Sequence, residues 1–198
     1  FHIGGYADAR IIAAADLYRP PPELDAKIIV ATFLRGMTAQ YLLRRLYQVR
    51  KGETILVHSA AGGMGSLLAQ WGSHLGATVI GTVGGPKKFA LAEKSGCAHV
   101  IDYLAGDFAD QVLEITDGAG VGVVYDAVGA DVYAGNLRCL ATRGWYVNYG
   151  HASGMPPITA MELNEKSLIF TKASMKDYTR TPEERAAMAG EVVAAIKD

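Results

Sequence analysis

From Thr54 onward, short apolar runs alternate with longer stretches whose apolar residues recur at helical spacing. Thr54–His58, Thr78–Val83, His99–Asp102, Val121–Asp126, Trp145–Tyr149 and Leu168–Thr171 read as strands. Met64–Leu75, Pro86–Lys94, Phe108–Ile115 and Val132–Leu140 read as the helices between them. Gly76 and Gly96 stop two of these helices, because glycine takes the left-handed conformation that closes a last turn. Pro86 is tolerated in a first turn, where its missing N–H has no partner to lose. Upstream, Glu23–Tyr47 reads as helix in two pieces broken near Gly36. Ile11-Ile12 suggests an edge strand ahead of the rigid Pro20-Pro21-Pro22. The strands are nearly continuous apolar runs, which suits a sheet covered on both faces. With right-handed crossovers, the alternation predicts an α/β fold with a doubly wound parallel sheet.

Composition narrows the class. The chain has 198 residues, half of them apolar and a fifth charged, which is globular and excludes a disordered tail or a fibre. A net charge of -1 gives no bulk attraction to nucleic acid or an anionic membrane. Cys97 and Cys139, the two cysteines, suit a reducing compartment and two buried, inert thiols. No apolar run approaches the ~20 residues of a membrane span, so a cytoplasmic protein is the expectation. The chain begins at Phe1 and ends inside the helical pattern Pro182–Ile196, which reads as a piece of a longer protein.

The stretch with the most chemistry is His58-Ser-Ala-Ala-Gly-Gly-Met-Gly65, between the first strand of the alternation and its helix. A pyrophosphate needs bare backbone N–H groups at a helix N-terminus, and side chains would block its approach. Gly62 allows that approach, and Gly65 allows close packing of helix on strand. Ala60 stands where the G-x-G-x-x-G pattern has its first glycine, and a tight turn with no ligand is the alternative. About 20 residues on, where an NAD site wants an acid for the ribose 2′-hydroxyl, the chain reads Val83-Gly-Gly-Pro-Lys-Lys88. No acid follows the second strand, and Lys87 and Lys88 open the next helix. That favours NADP(H); a solvated lysine pair is the alternative.

With Gln70-Trp71, Gly81-Thr-Val-Gly84 and Tyr125-Asp-Ala-Val-Gly129, and Phe33-Leu-Arg-Gly-Met-Thr38 upstream, the sequence resembles the zinc-free quinone oxidoreductases. These zeta-crystallin-like proteins belong to the medium-chain dehydrogenase/reductase superfamily. The resemblance implies a Rossmann cofactor domain over 23–198, truncated at its C-terminus, with 1–22 a remnant of a GroES-like substrate domain. It implies that Gly62, Gly63, Met64 and Gly65 meet the pyrophosphate, and that Gly84, Lys88 and Tyr103 lie toward the 2′-phosphate. Val128 and Gly129 would flank the adenosine or ribose. Tyr149, Gly150 and His151 would line the nicotinamide pocket, with Thr38 near its amide. Family members often carry Asn where this chain has His151.

Zinc alcohol dehydrogenases of the superfamily place a cysteine ligand shortly before the glycine corresponding to Gly36. Here that segment is Val30-Ala-Thr-Phe33. The five histidines, His2, His58, His74, His99 and His151, show no metal-ligand spacing. The implied activity is zinc-independent hydride transfer from NADPH to a quinone or an α,β-unsaturated carbonyl, with no catalytic residue assigned in this chain. The resemblance also implies a homodimer joined at the edge strand Leu168–Thr171. The alternatives are another medium-chain reductase, such as an enoyl reductase or alcohol dehydrogenase, and a nucleotide-binding protein without turnover. The chain alone is expected to be nearly inactive.

Overall fold

The computed structural model describes residues 6–14 and 17–197. They form two compact units, one of residues 42–173 and one of the described residues within 1–41 and 174–198. Phe1–Gly5, including His2, Ala15–Asp16 and Asp198 lie outside the described residues.

The larger unit is a six-stranded, wholly parallel sheet. Its strands are β1 (Thr54–Val57), β2 (Thr78–Val83), β3 (His99–Asp102), β4 (Val121–Asp126), β5 (Leu140–Asn148) and β6 (Ile169–Thr171), in the order β3-β2-β1-β4-β5-β6. Between them run α2 (Gly63–His74), α3 (Phe89–Lys94), α4 (Phe108–Ile115), α5 (Tyr133–Cys139) and α6 (Ala160–Asn164). Strand residues alternate between the two covered faces. Leu56, Ile80, Val124 and Tyr146 join Phe108 and Val112 of α4 and Tyr133 of α5 in one buried cluster. On the other face α2 lies so close that a methyl added at Gly72 would sit 2.9 Å from Ile55 and 3.4 Å from Val79. The doubly wound fold read from the sequence is the fold observed.

Several boundaries differ for local reasons. Pro86–Lys88 forms a 3₁₀ turn ahead of α3, the tighter winding common at helix starts. Strand β5 begins at Leu140 rather than Trp145, because Leu140 pairs with Val121 and the register then shifts. The Ala-Thr-Arg-Gly run inside it has Arg143 at φ 62°. Helix α6 was not foreseen, although its Thr159–Glu162 capping box is legible as Thr-x-x-Glu.

The smaller unit contains α1 (Ala26–Tyr41) and α7 (Pro182–Lys197). The expected break at Gly36 does not occur. A Cβ there would meet Val192 Cγ1 at 2.7 Å, so the glycine lets α1 and α7 approach instead of ending a helix. Ile11 and Ile12 form no strand, and Ile11 is fully exposed. Residues Leu42–Leu46, in the larger unit, are wound as a π-helix, and the buried Tyr125 hydroxyl donates to the Leu42 carbonyl at 3.2 Å. Among the described residues no helix is long and apolar enough to cross a membrane.

Candidate cofactor site

In a parallel sheet all strand C-termini lie along one edge. Strand order reverses between β1 and β4, which opens a crevice there. The turn after β1 enters it. Gly62 is the N-cap of α2, in extended conformation and without a side-chain cap. The first N–H groups of α2 have no acceptor inside the helix, and Gly62 and Gly63 are exposed. The glycines differ in what they permit. A Cβ on Gly65 would lie 2.1 Å from the Ser59 carbonyl oxygen, so only glycine lets the first turn of α2 pack against the backbone of the turn that precedes it. A Cβ on Gly62 would lie 3.0 Å from the same oxygen and otherwise project into the open turn.

His58 opens this turn but faces inward. It is buried, with Nδ1 2.8 Å from Thr82 Oγ1 and Nε2 2.7 Å from Asn136 Oδ1. Burial lowers its pKa against the opposing pull of Asp126 and the Asn136 bond. Its role here is structural.

After β2, Gly84 passes under Tyr103, whose hydroxyl would lie 2.6 Å from a Cβ at that position. Lys87 and Lys88 are exposed. The sequence showed no acid following β2, but the sheet brings one from the neighbouring strand. Asp102 pairs in register with Val83, and its Oδ1 accepts from Gly85 N at 2.9 Å and Leu104 N at 3.0 Å.

After β4 the fully buried Asp126 organises the next loop. Its Oδ1 accepts from Val128 N at 2.6 Å and Gly129 N at 3.1 Å. Its Oδ2 accepts from the Tyr146 hydroxyl at 2.6 Å and from Asn148 Nδ2 at 3.2 Å. Gly129, at φ +98°, lies so close to Gly154 that a Cβ would be 2.0 Å from its carbonyl oxygen. Ser153 N and Oγ both donate to Val128 O, which stitches the loops after β4 and β5 together. Asn148 Oδ1 in turn accepts from Lys172 Nζ at 3.0 Å, and that ammonium also lies 3.4 Å from His151 Nδ1. An ammonium only donates, so Nδ1 is the acceptor and the ring proton is on Nε2.

The edge therefore gathers Gly62, Gly63, Met64 and Gly65 after β1, Gly84 and Lys88 after β2, and Tyr103 after β3. Val128 and Gly129 follow β4, and Tyr149, Gly150 and His151 follow β5. Thr38 lies in the other unit, inside α1, where its hydroxyl donates to Leu34 O at 3.1 Å. Asp102, Asp126, Asn148 and Lys172 were not singled out beforehand. The signal for the two aspartates was their position as the last residues of parallel strands. Cys97 and Cys139 are buried, and burial pushes the Cys97 thiol up to about 11, so neither is poised as a nucleophile.

Sheet order, crevice and glycine turn together define a Rossmann-type α/β protein. A family model described as zinc-binding dehydrogenase matches residues 63–194, about two thirds of the chain. The chain belongs to that family. It is 42% identical over 199 residues to a quinone oxidoreductase of Pseudomonas aeruginosa, covering 98% of this chain and 61% of that protein. It is 45% identical over 181 residues to a 2-haloacrylate reductase of Burkholderia, covering 89% and 54%. The structure of Escherichia coli quinone oxidoreductase complexed with NADPH matches with a TM-score of 0.89 at 39% identity, over 92% of this chain and 57% of that one. The chain thus spans little more than half the length of these relatives. The family's description names zinc, but among the described residues no group of three or more His, Cys, Asp or Glu comes together as a metal site.

Proposed function

We propose that this chain is the cofactor-binding part of an NADPH-dependent reductase whose acceptor is a quinone or an α,β-unsaturated carbonyl. The observation that carries the reading is the turn after β1. Exposed Gly62 and Gly63 leave the uncapped N-terminus of α2 bare at the crevice where strand order reverses. Relatives at about 40% identity support it, including a quinone oxidoreductase complexed with NADPH and a 2-haloacrylate reductase.

Bound NADPH supplies the hydride. The chain's residues bind and orient it: Gly62, Gly63 and Met64 meet the pyrophosphate, Gly63 and Met64 through backbone N–H groups while Gly62, whose own N–H donates to Ser59 O at 2.8 Å, keeps the approach open, and Gly65 keeps α2 seated so that those groups stay aimed. Gly84, Lys88 and Tyr103 take the 2′-phosphate side. Val128 and Gly129, fixed by Asp126, flank the adenosine or ribose. Tyr149, Gly150 and His151 line the nicotinamide end, where His151 presents Nε2–H as a donor. Positioning and exclusion of water are the protein's contribution, and no metal is invoked. The reading extends to a cytoplasmic protein that dimerises through β6, which among the described residues pairs only with β5. Residues 1–22 belong, on the same reading, to the edge of a substrate domain.

The test is NADPH oxidation in the longer protein that the resemblance implies, with a quinone and with a haloacrylate, in the presence of a chelator. Consumption of NADPH that the chelator does not affect is expected. Activity that the chelator abolishes, or that runs only with a saturated aldehyde or ketone, overturns the reading. The isolated chain is expected to bind NADPH but to be nearly inactive.

A further inference from the structure

Asp102 is one of the residues that the structure adds to this edge. We propose that Asp102 is a specificity-determining residue that lowers the preference for a 2′-phosphorylated cofactor over its unphosphorylated counterpart. The inference rests on the cofactor reading above, in which Gly84 and Lys88 face the 2′ side of the adenosine ribose.

Three observations place the carboxylate in that corner. Asp102 is in register with Val83, the last residue of β2, so the loops after β2 and β3 leave the sheet side by side. Its Oδ1 accepts from Gly85 N, between Gly84 and Lys88 in the chain, and from Leu104 N. Both bonds fall on Oδ1, and no hydrogen bond among the described residues falls on Oδ2. The hydroxyl of Tyr103, the next residue, lies over Gly84. The two loops that receive the 2′ substituent are thus braced by an acidic side chain.

The brace has two chemical consequences. Gly85 N–H is spent on the carboxylate and is not offered to a phosphate. The negative charge opposes a 2′-phosphate while Lys88 attracts it, whereas a 2′-hydroxyl can donate to a carboxylate oxygen. Lys88 alone would favour the phosphorylated cofactor. Lys88 and Asp102 together give a muted preference, so that both cofactors bind.

The variant that separates charge from brace is Asp102→Asn. Its amide oxygen can still accept from Gly85 N and Leu104 N, and the charge is gone. Calorimetric titration of the chain with NADPH and with NADH, at low and at ~0.15 M salt, gives the ratio of the two dissociation constants. The ratio is expected to move about three- to tenfold toward NADPH in D102N at low salt, and less at the higher salt, as for partly exposed charges. Asp102→Ala, which removes the brace, is expected to weaken both cofactors. A ratio that D102N leaves unchanged or moves toward NADH, while Lys88→Ala still weakens NADPH, overturns the role of Asp102 and leaves the cofactor site standing. Failure of the folded wild-type chain to bind either cofactor removes the cofactor reading and the inference with it.

Discussion

Substituting Tyr146→Phe isolates one bond of the buried network around Asp126. The hydroxyl donates to Asp126 Oδ2 at 2.6 Å, and both residues are fully buried. Burial first, and then the adjoining carboxylate, pushes the Tyr146 phenol well above its usual range, so it remains a donor at any working pH. The change removes one oxygen from a ring still held by Phe170 in an edge contact at 5.3 Å, so packing is nearly conserved. A hydrogen bond to a charged group is worth about 1.5–3 kcal/mol. The carboxylate keeps Val128 N, Gly129 N and Asn148 Nδ2, so it is not orphaned, and the expected loss is about 2 kcal/mol, near the lower end. For a chain of this size that lowers the melting temperature by about 4–8 °C. Asp126→Ala is a different perturbation. It strands the Tyr146 hydroxyl and the Asn148 amide in the interior, at about 3–5 kcal/mol, and frees the loop at Val128 and Gly129. Urea unfolding with an unchanged slope reads both losses, and NADPH titration of the folded proteins reads the second effect. Y146F should bind NADPH like the wild type, and D126A should bind it more weakly. A Y146F loss below about 0.5 kcal/mol would refute the claim that this bond holds the loop's anchor in place.

Other expectations follow from single residues. Gly65→Ala drives a methyl into the Ser59 carbonyl and should prevent stable folding, whereas Gly62→Ala should fold and lose NADPH affinity; circular dichroism and titration separate the two. His58 is buried with its pKa depressed, so below about pH 6.5 the unfolded chain takes up the proton first. Stability should fall with decreasing pH at up to ~1.4 kcal/mol per unit, until the folded pKa is reached, and His58→Asn should flatten that slope in urea titrations from neutral to mildly acid pH. Lys166 donates to the carbonyls of Leu137, Arg138 and Leu140 at the end of α5, so Lys166→Met should cost about 1–2 kcal/mol in the same assay.

Much of the fold was legible because parallel strands covered on both faces must be apolar throughout, and Gly76 and Gly96 punctuate the helices between them. Gly36 misled because glycine in a helical pattern signals either a break or a close approach, and only the arrival of Val192 decides which. The glycine turn at 62–65 was readable from its position between a strand and a helix. Asp102 and Asp126 were not assigned, because their significance depends on which strands become neighbours. Asp102 acts on a loop that precedes it by 17 positions. Asp126 is joined to Asn148 and Tyr146 by pairing of β4 with β5, which no local pattern encodes.

The central claim is that this edge of the sheet holds NADP(H), with Lys88 facing its 2′-phosphate. Calorimetric titration of the chain with NADPH and NADH, repeated with Lys88→Ala, tests it most directly. The expected result is saturable binding, tighter for NADPH, with the lysine substitution weakening NADPH by about five- to tenfold and leaving NADH unchanged. Equal loss for both cofactors, or no binding by the folded chain, would contradict it.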